Sequence, residues 1–325
     1  MRALLCKELG PVDKLMIEEA PDPVARTGQV LVRIHAAGIN FLDLLVIKGL
    51  YQQKIEPPFI PGNEAAGVVE AVGDGVTRYQ TGDRVIVMPE GGAFAQLCAV
   101  PEERVIAMPG SLDFKQAAGF TITYGTSYHA LKQSAGLQAG DTVLVLGAAG
   151  GVGITAVECA RAMGARVIAA ASSAEKLEFA RAAGADEIID YSQESLRERC
   201  KTLTGGRGVD VVYDPVGGEL AQQALRALAW HGRYLVIGFA SGDIPAFPAN
   251  IALLKEASIV GVWWGTWLIN HPGESAQNMK ELFGMLHKGI LKPRVTESWP
   301  LKKFVAAFNS LSNRTAKGKV ILEFY

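Results

Sequence analysis

"GDTVLVLGAAGGVGITAVECARAMGA", residues 140–165, is the stretch whose reading decides the fold. A short run rich in Val and Leu closes at Gly147, small residues follow, and a helical pattern is predicted from near Val152. Ala148, Gly150 and Gly153 keep the G-x-G-x-x-G spacing with alanine in first place. Small residues here let the backbone approach a pyrophosphate, and the amide groups at the helix start point at it. Alone, the pattern describes only a tight strand–helix turn. Inside a βαβ unit it reads as a dinucleotide cradle, with Gly150, Gly151, Val152 and Gly153 as the phosphate-binding residues.

The flanks supply that unit. Runs at 165–172, 186–191, 209–217, 232–238 and 257–265 are short and β-branched, with helical patterns such as "SAEKLEFARAAGA" between them. Alternation with near-continuous apolar strands predicts α/β architecture, a doubly wound parallel sheet of Rossmann type covered on both faces. The N-terminal third reads differently. Runs at 29–39, 66–73, 82–88 and 104–110, broken by Gly and Pro, predict a compact β-rich domain of barrel type. The expected division is 1–121, 122–261 and a last part, 262–325, that mixes helix with strand and rejoins the first domain.

Composition narrows the class. The 325 residues carry 32 basic and 33 acidic side chains, a net charge of −1, which gives no electrostatic reason to expect nucleic acid or an anionic membrane as partner. Cys6, Cys98, Cys159 and Cys200 share no metal-ligand or disulfide spacing and read as reduced thiols. "MRALLCKELG" is too short an apolar run for a signal peptide, and the uncharged, Gly-rich stretch 142–157 falls below the ~18 residues of a membrane span. A soluble, cytoplasmic protein is expected.

The second strand of the sheet ends in "AAASSAEK" (169–176), with Ser172 and Ser173 where NAD-binding folds carry an acid. Hydroxyls with the Lys176 ammonium suit a 2′-phosphate, and Tyr191 at the end of the third strand is a further candidate for holding it. NADPH is therefore the expected cofactor. The alternative is a solvated helix residue Lys176 paired with a nearby acid, and the charge of Glu175 works against the preference.

The run from Gly140 through Arg161 resembles the signature of the zinc-independent quinone oxidoreductases, the ζ-crystallin-like branch of the medium-chain dehydrogenase/reductase superfamily. The resemblance extends over "AAGINFLDLLVIKGLY" (36–51), "PGNEAAGVVEAVG" (61–73), "GDRV" (82–85), "TYGTSYHAL" (123–131), "GGRGVDVVYDPVGG" (205–218) and "GKVIL" (318–322). One departure is Glu158, where the signature usually has Gln. The resemblance implies a GroES-like β domain discontinuous in sequence, a Rossmann domain, NADPH in the cleft between them, and a homodimer or homotetramer joined through the sheet edge.

Zinc-dependent relatives ligate catalytic zinc with a Cys two residues after the glycine of "AAG" and with the His of Gly-His-Glu; here those places hold Asn40 and Asn63. Neutral carboxamides are poor zinc ligands beside thiolate and imidazole. The four-cysteine structural lobe is absent too, since "PEGGAFAQLCAVPEER" (89–104) has only Cys98. No metal is expected. A quinone suits such a site, because its conjugation spreads negative charge and hydride can add without a Lewis acid.

By resemblance, Asn40 is the polar group nearest the transferred hydride, bonding the substrate oxygen or the cofactor ribose; otherwise it serves only a turn. Tyr51 is a candidate to stack on a flat quinone or simply packs on its loop, and Leu45 stands where some relatives have a second Tyr. Asp43 is expected to be structural. Thr126 matches a family position near the nicotinamide carboxamide, with a helix-cap role as the alternative. Gly238, Phe239, Ala240 and Ser241 follow the fifth strand, and Trp263, Trp264 and Gly265 the sixth, at carboxyl ends where ligands bind in such sheets. The tryptophans otherwise belong to the core or a subunit interface. Arg314 is a candidate for a cofactor phosphate or an exposed salt bridge. His35, His129, His231, His271 and His287 form no ligand spacing. The rival readings are an enoyl-thioester reductase and a non-catalytic NADPH-binding protein of crystallin or RNA-binding kind.

Overall fold

The computed structural model describes residues 1–324, which form two compact units. One comprises Met1–Ile122 and the chain from Pro293 onward; the other is Thr123–Lys292. The return to the first unit therefore falls at Pro293, not at 262 as the sequence reading has it. The helix Pro272–His287 stays in the second unit, where its Glu281 takes hydrogen bonds from Tyr128 and Lys132 at 2.6 and 2.5 Å.

The second unit is built on six parallel strands. Across the sheet they run Glu187–Asp190, Arg166–Ala171, Thr142–Leu146, Val209–Asp214, Leu228–Val236 and Ser258–Gly261. Numbered along the chain, the order is 3-2-1-4-5-6, with the reversal between Thr142–Leu146 and Val209–Asp214. The central strand has all five residues buried, which is why it reads as an unbroken apolar run. On one face Leu144, Leu146, Ile168, Ile189, Val212 and Tyr234 share a core.

Two strand ends differ from expectation. The fifth strand starts at Leu228 rather than 232, carrying the kink of His231, whose φ is 56°. The sixth ends at Gly261 rather than 265, because its ladder to the fifth strand stops at the pair Val236–Gly261. Trp264 and Gly265 then open the helix Trp264–Asn270.

In the first unit one strand organises the rest. Gln29–Ile39, expected from the sequence, pairs antiparallel with Ala65–Val72, Leu97–Pro101 and the C-terminal strand Lys319–Glu323. Arg84–Val87, Val105–Ala107 and Val295–Pro300 complete the seven-stranded sheet. Leu4, Val32, Ile34, Ile39, Leu44, Phe94 and Phe308 form its core. The pairing of Val320 with Ile39 sets Lys319 beside the end of the long strand, where Asn40 begins the helix Phe41–Ile47. All four cysteines are buried and free. Among the described residues no helix is long and apolar enough to cross a membrane.

Candidate functional site

The glycine turn has the geometry its sequence implies. Gly147 adopts φ 55°, Gly150 donates its N–H to the Gly147 carbonyl at 2.9 Å, and the helix Gly151–Ala162 starts there with Gly150 as N-cap. A Cβ on Gly153 would stand 2.2 Å from the Gly147 oxygen, so only glycine lets helix and strand approach this closely. The first amide groups of that helix have no intrahelical acceptor and carry its positive dipole end. Behind the turn, the buried Ser127 hydroxyl reaches the Val152 carbonyl, the Thr155 hydroxyl and the Tyr213 hydroxyl at 2.9, 2.8 and 3.0 Å.

At the end of the neighbouring strand the Lys176 ammonium lies 3.4 Å from the Ser172 hydroxyl. Ser173 caps the helix Ala174–Arg181 by accepting from the Lys176 N–H. The half-buried Tyr191 joins them through its N–H to the Ala171 carbonyl, 3.2 Å. The four residues expected around a 2′-phosphate are thus neighbours.

Across the reversal point, the buried Asp214 carboxylate accepts from the N–H groups of Val216 and Gly217 at 2.7 and 2.9 Å and from the Tyr234 hydroxyl. Burial pushes its pKa up, against these hydrogen bonds. Ala240 and Ser241 donate their N–H groups to the Pro215 and Val216 carbonyls at 3.0 and 2.8 Å, fastening the loop 238–241 to this turn. Thr126 lies inside the helix Thr121–His129, not at its cap. Trp264 is buried, and a Cβ on Gly125 would meet its ring at 2.4 Å, so this indole fills core space; Trp263 is half exposed.

In the first unit the polar cluster centres on Asn40. Its Nδ2 donates to Glu64 Oε1 at 2.9 Å, and its Oδ1 accepts from the Lys319 ammonium at 2.5 Å. Lys319 is itself 2.6 Å from Glu64 Oε1. Glu64 Oε2 takes the Thr121 hydroxyl and the Ile122 N–H at 3.2 and 3.1 Å. Asp43, fully buried, accepts from the Asn40 N–H at 2.7 Å and from Asn63 Nδ2 at 3.0 Å. Burial raises its pKa to about 7, opposed by those donors and by the Lys319 charge. Tyr51 is half-buried and donates its N–H to the Leu45 carbonyl, 3.2 Å. Arg314 is exposed with φ 57° beyond the helix Phe304–Ser312.

Residues 26–110 match the alcohol dehydrogenase GroES-like domain, and residues 151–283 match the family described as zinc-binding dehydrogenase. The quinone oxidoreductase-like protein 2 homolog of Nematostella vectensis is 41% identical over 325 residues, 99% of this chain and 88% of its own length. The Pseudomonas syringae quinone oxidoreductase structure superposes with a TM-score of 0.93 at 34% identity over 99% of both chains. The Escherichia coli quinone oxidoreductase complexed with NADPH gives 0.94 at 30% identity over 100% of both. The chain belongs to the quinone oxidoreductase branch of the medium-chain dehydrogenase/reductase superfamily.

In this chain neutral carboxamides occupy the positions at which zinc-dependent relatives hold their metal ligands. Asn40 and Asn63 stand at those positions, and both are engaged within the protein. An ammonium lies 2.5 Å from the Asn40 oxygen, where a divalent cation would need a lone pair and would meet a positive charge. The donor set does not fit zinc. Among the described residues no three His, Cys, Asp or Glu side chains are grouped to hold a metal ion.

Three members of these clusters escape a reading of this oxidoreductase from sequence: Lys319, Glu64 as its partner, and Asp214. For Lys319 a signal existed. "KVIL" is apolar after its first residue, and a lysine at the head of such a run must find a carboxylate if both faces are covered. Asp214 closes the fourth strand directly after its buried residues Val211, Val212 and Tyr213, where a carboxylate must find hydrogen-bond donors.

Proposed function

We propose that this protein transfers hydride from NADPH to a quinone or a similarly activated enone, without zinc. The observation that carries the reading is the Lys319 ammonium bonded to Asn40, at a position where zinc-dependent relatives put a metal ligand. Without a Lewis acid, an acceptor that delocalises its own negative charge is the natural substrate.

The cofactor supplies the hydride when bound. The N–H groups of Gly151, Val152 and Gly153, at the mouth of the turn, are suited to its pyrophosphate. Ser172, Ser173, Lys176 and Tyr191 are suited to a 2′-phosphate, since Lys176 and Ser172 already lie 3.4 Å apart and no carboxylate replaces Ser172. The fastened loop Gly238–Ser241 and Thr126 are the proposed contacts of the nicotinamide end, and Arg314 remains a proposed phosphate contact. Asn40 directs an N–H toward the substrate oxygen, and Tyr51 offers an aromatic face. The open edge strand Ser258–Gly261, with Ile259, Leu253 and Leu254 exposed, supports assembly into a homodimer.

The test follows NADPH absorbance with chelator present while 1,4-benzoquinone, 9,10-phenanthrenequinone and crotonyl-CoA are added in turn. Quinone-dependent oxidation is expected. Turnover of crotonyl-CoA alone would make the protein an enoyl-thioester reductase, and binding of NADPH without any turnover would make it a cofactor-binding protein.

A further inference from the structure

We propose that Glu64 and Lys319 are positioning residues that lock the Asn40 carboxamide in one of its two flip states, so that its second N–H becomes a directed donor. The inference rests on the hydride-transfer reading for what that donor does, and on geometry alone for the lock itself.

An asparagine amide has two donors on nitrogen and an acceptor on oxygen, and rotating it by half a turn exchanges them. Here the exchange is forbidden. Lys319 can only donate and stands at Oδ1, while the Glu64 carboxylate, which takes N–H and O–H donors on both oxygens, stands at Nδ2. A flipped amide would set N–H against ammonium and oxygen against carboxylate. Because Glu64 and Lys319 also bond each other at 2.6 Å, neither can turn away to follow the flip. Glu64 is held from its other oxygen by Thr121 and Ile122, and the Asn40 backbone is held by Asp43.

The fold makes room for this pair. A Cβ on Gly38 would stand 2.7 Å from Glu64 Oε1 and 2.8 Å from Lys319 Cε, and one on Gly119 would stand 2.4 Å from Lys319 Cγ. Burying a charge pair gives little stability over an apolar pair of the same volume, so its retention calls for another use. Among the described residues no acceptor takes the second Nδ2 hydrogen of Asn40, which keeps 8% of its surface exposed.

The experiment is a mutant cycle on the full chain, with Asn40→Ala, Glu64→Gln, Lys319→Met and the neutral double variant Glu64→Gln/Lys319→Met. The double variant removes both members of the ion pair together, so that neither is left buried without the other, and guards against misfolding of either single one. It is expected to lower kcat for 1,4-benzoquinone by about 10- to 100-fold, with KM for NADPH changed by less than about threefold. In the Asn40→Ala background the same pair of changes should alter kcat by less than about twofold. A residue pair that merely supports the fold would lower both backgrounds alike, and that result, or an unchanged kcat, overturns the proposal.

The lock is also read without turnover, from the side-chain amide resonances of Asn40. In the parent protein the Glu64-bonded hydrogen should be protected from exchange, and in the double variant that protection should vanish. A protected amide in a protein that reduces no quinone would sink the hydride-transfer reading and leave the lock standing. An unprotected one sinks the lock.

Discussion

Gly153 lies so close to Gly147 that a Cβ added to it would stand 2.2 Å from the Gly147 carbonyl oxygen. Neither atom can yield cheaply, since one is fixed to a helix and the other follows directly on the central strand. Gly153→Ala should therefore push the helix off the turn. We expect a loss of about 1–3 kcal/mol in unfolding free energy. Added NADPH should no longer raise the melting temperature. Thermal melts with and without NADPH check both, and a full NADPH-induced rise in the variant would show that the turn does not hold the cofactor.

The spacing of Lys176 and Ser172 makes a claim about which dinucleotide is preferred. Removing the ammonium with Lys176→Ala should weaken NADPH by about tenfold or more, the value of one charge-assisted hydrogen bond, and leave NADH nearly unaffected. Ser172→Asp should go further, repelling the 2′-phosphate while offering a carboxylate to a ribose. Titrations of both dinucleotides against both variants decide it. Parallel losses for NADPH and NADH would mean that these residues do not read the phosphate.

Much of this was legible because the relevant forces are local. The strand Gln29–Ile39 is recovered to the residue, as apolar periodicity and flanking turn residues act within a few positions. The glycine turn is likewise legible, since close approach of two elements demands glycine wherever it occurs. The Asn40 cluster is a different matter. It joins Lys319 to Glu64 and Asn40 from separate strands and turns, and only the pairing of the last strand with the long one brings them together. The end of the sixth strand, Gly261 rather than 265, escaped the sequence for a related reason. The strand run "ASIVGVWWG" looks continuous, but the ladder that would extend it ends with the partner strand at Val236.

That same sheet edge yields a prediction about assembly. Among the described residues Ser258–Gly261 pairs on one side only, and the helix Ala249–Lys255 that precedes it has no buried residue, with Leu253 and Leu254 77% and 68% exposed. An open edge flanked by apolar side chains is expected to pair with a second copy. Sedimentation should find a dimer or tetramer for the parent and a smaller species for Ile259→Lys, in which a charge sits on the edge. A parent protein that sediments as a monomer would remove the argument.

Asp43 gives a pH dependence whose sign can be worked out. Its carboxyl is held up to about 7 in the folded protein, against an ordinary 3.8, chiefly by burial. Between those values the native state binds more protons than the unfolded chain, so unfolding free energy falls as pH rises. The contribution is complete below about pH 4 and is lost as pH climbs through about 7. Asp43→Asn removes the titration but also a second acceptor, because its amide must turn an N–H toward either the Asn40 N–H or the Asn63 amide. That mismatch costs about 1–3 kcal/mol at every pH, as an unmet buried hydrogen bond does. Only the slope therefore reports on ionisation. Urea unfolding of both proteins from pH 4 to 8 should show the variant's deficit shrinking as pH rises. A deficit that stays constant would mean that Asp43 is ionised throughout, with Asn40, Asn63 and the Lys319 charge outweighing its burial.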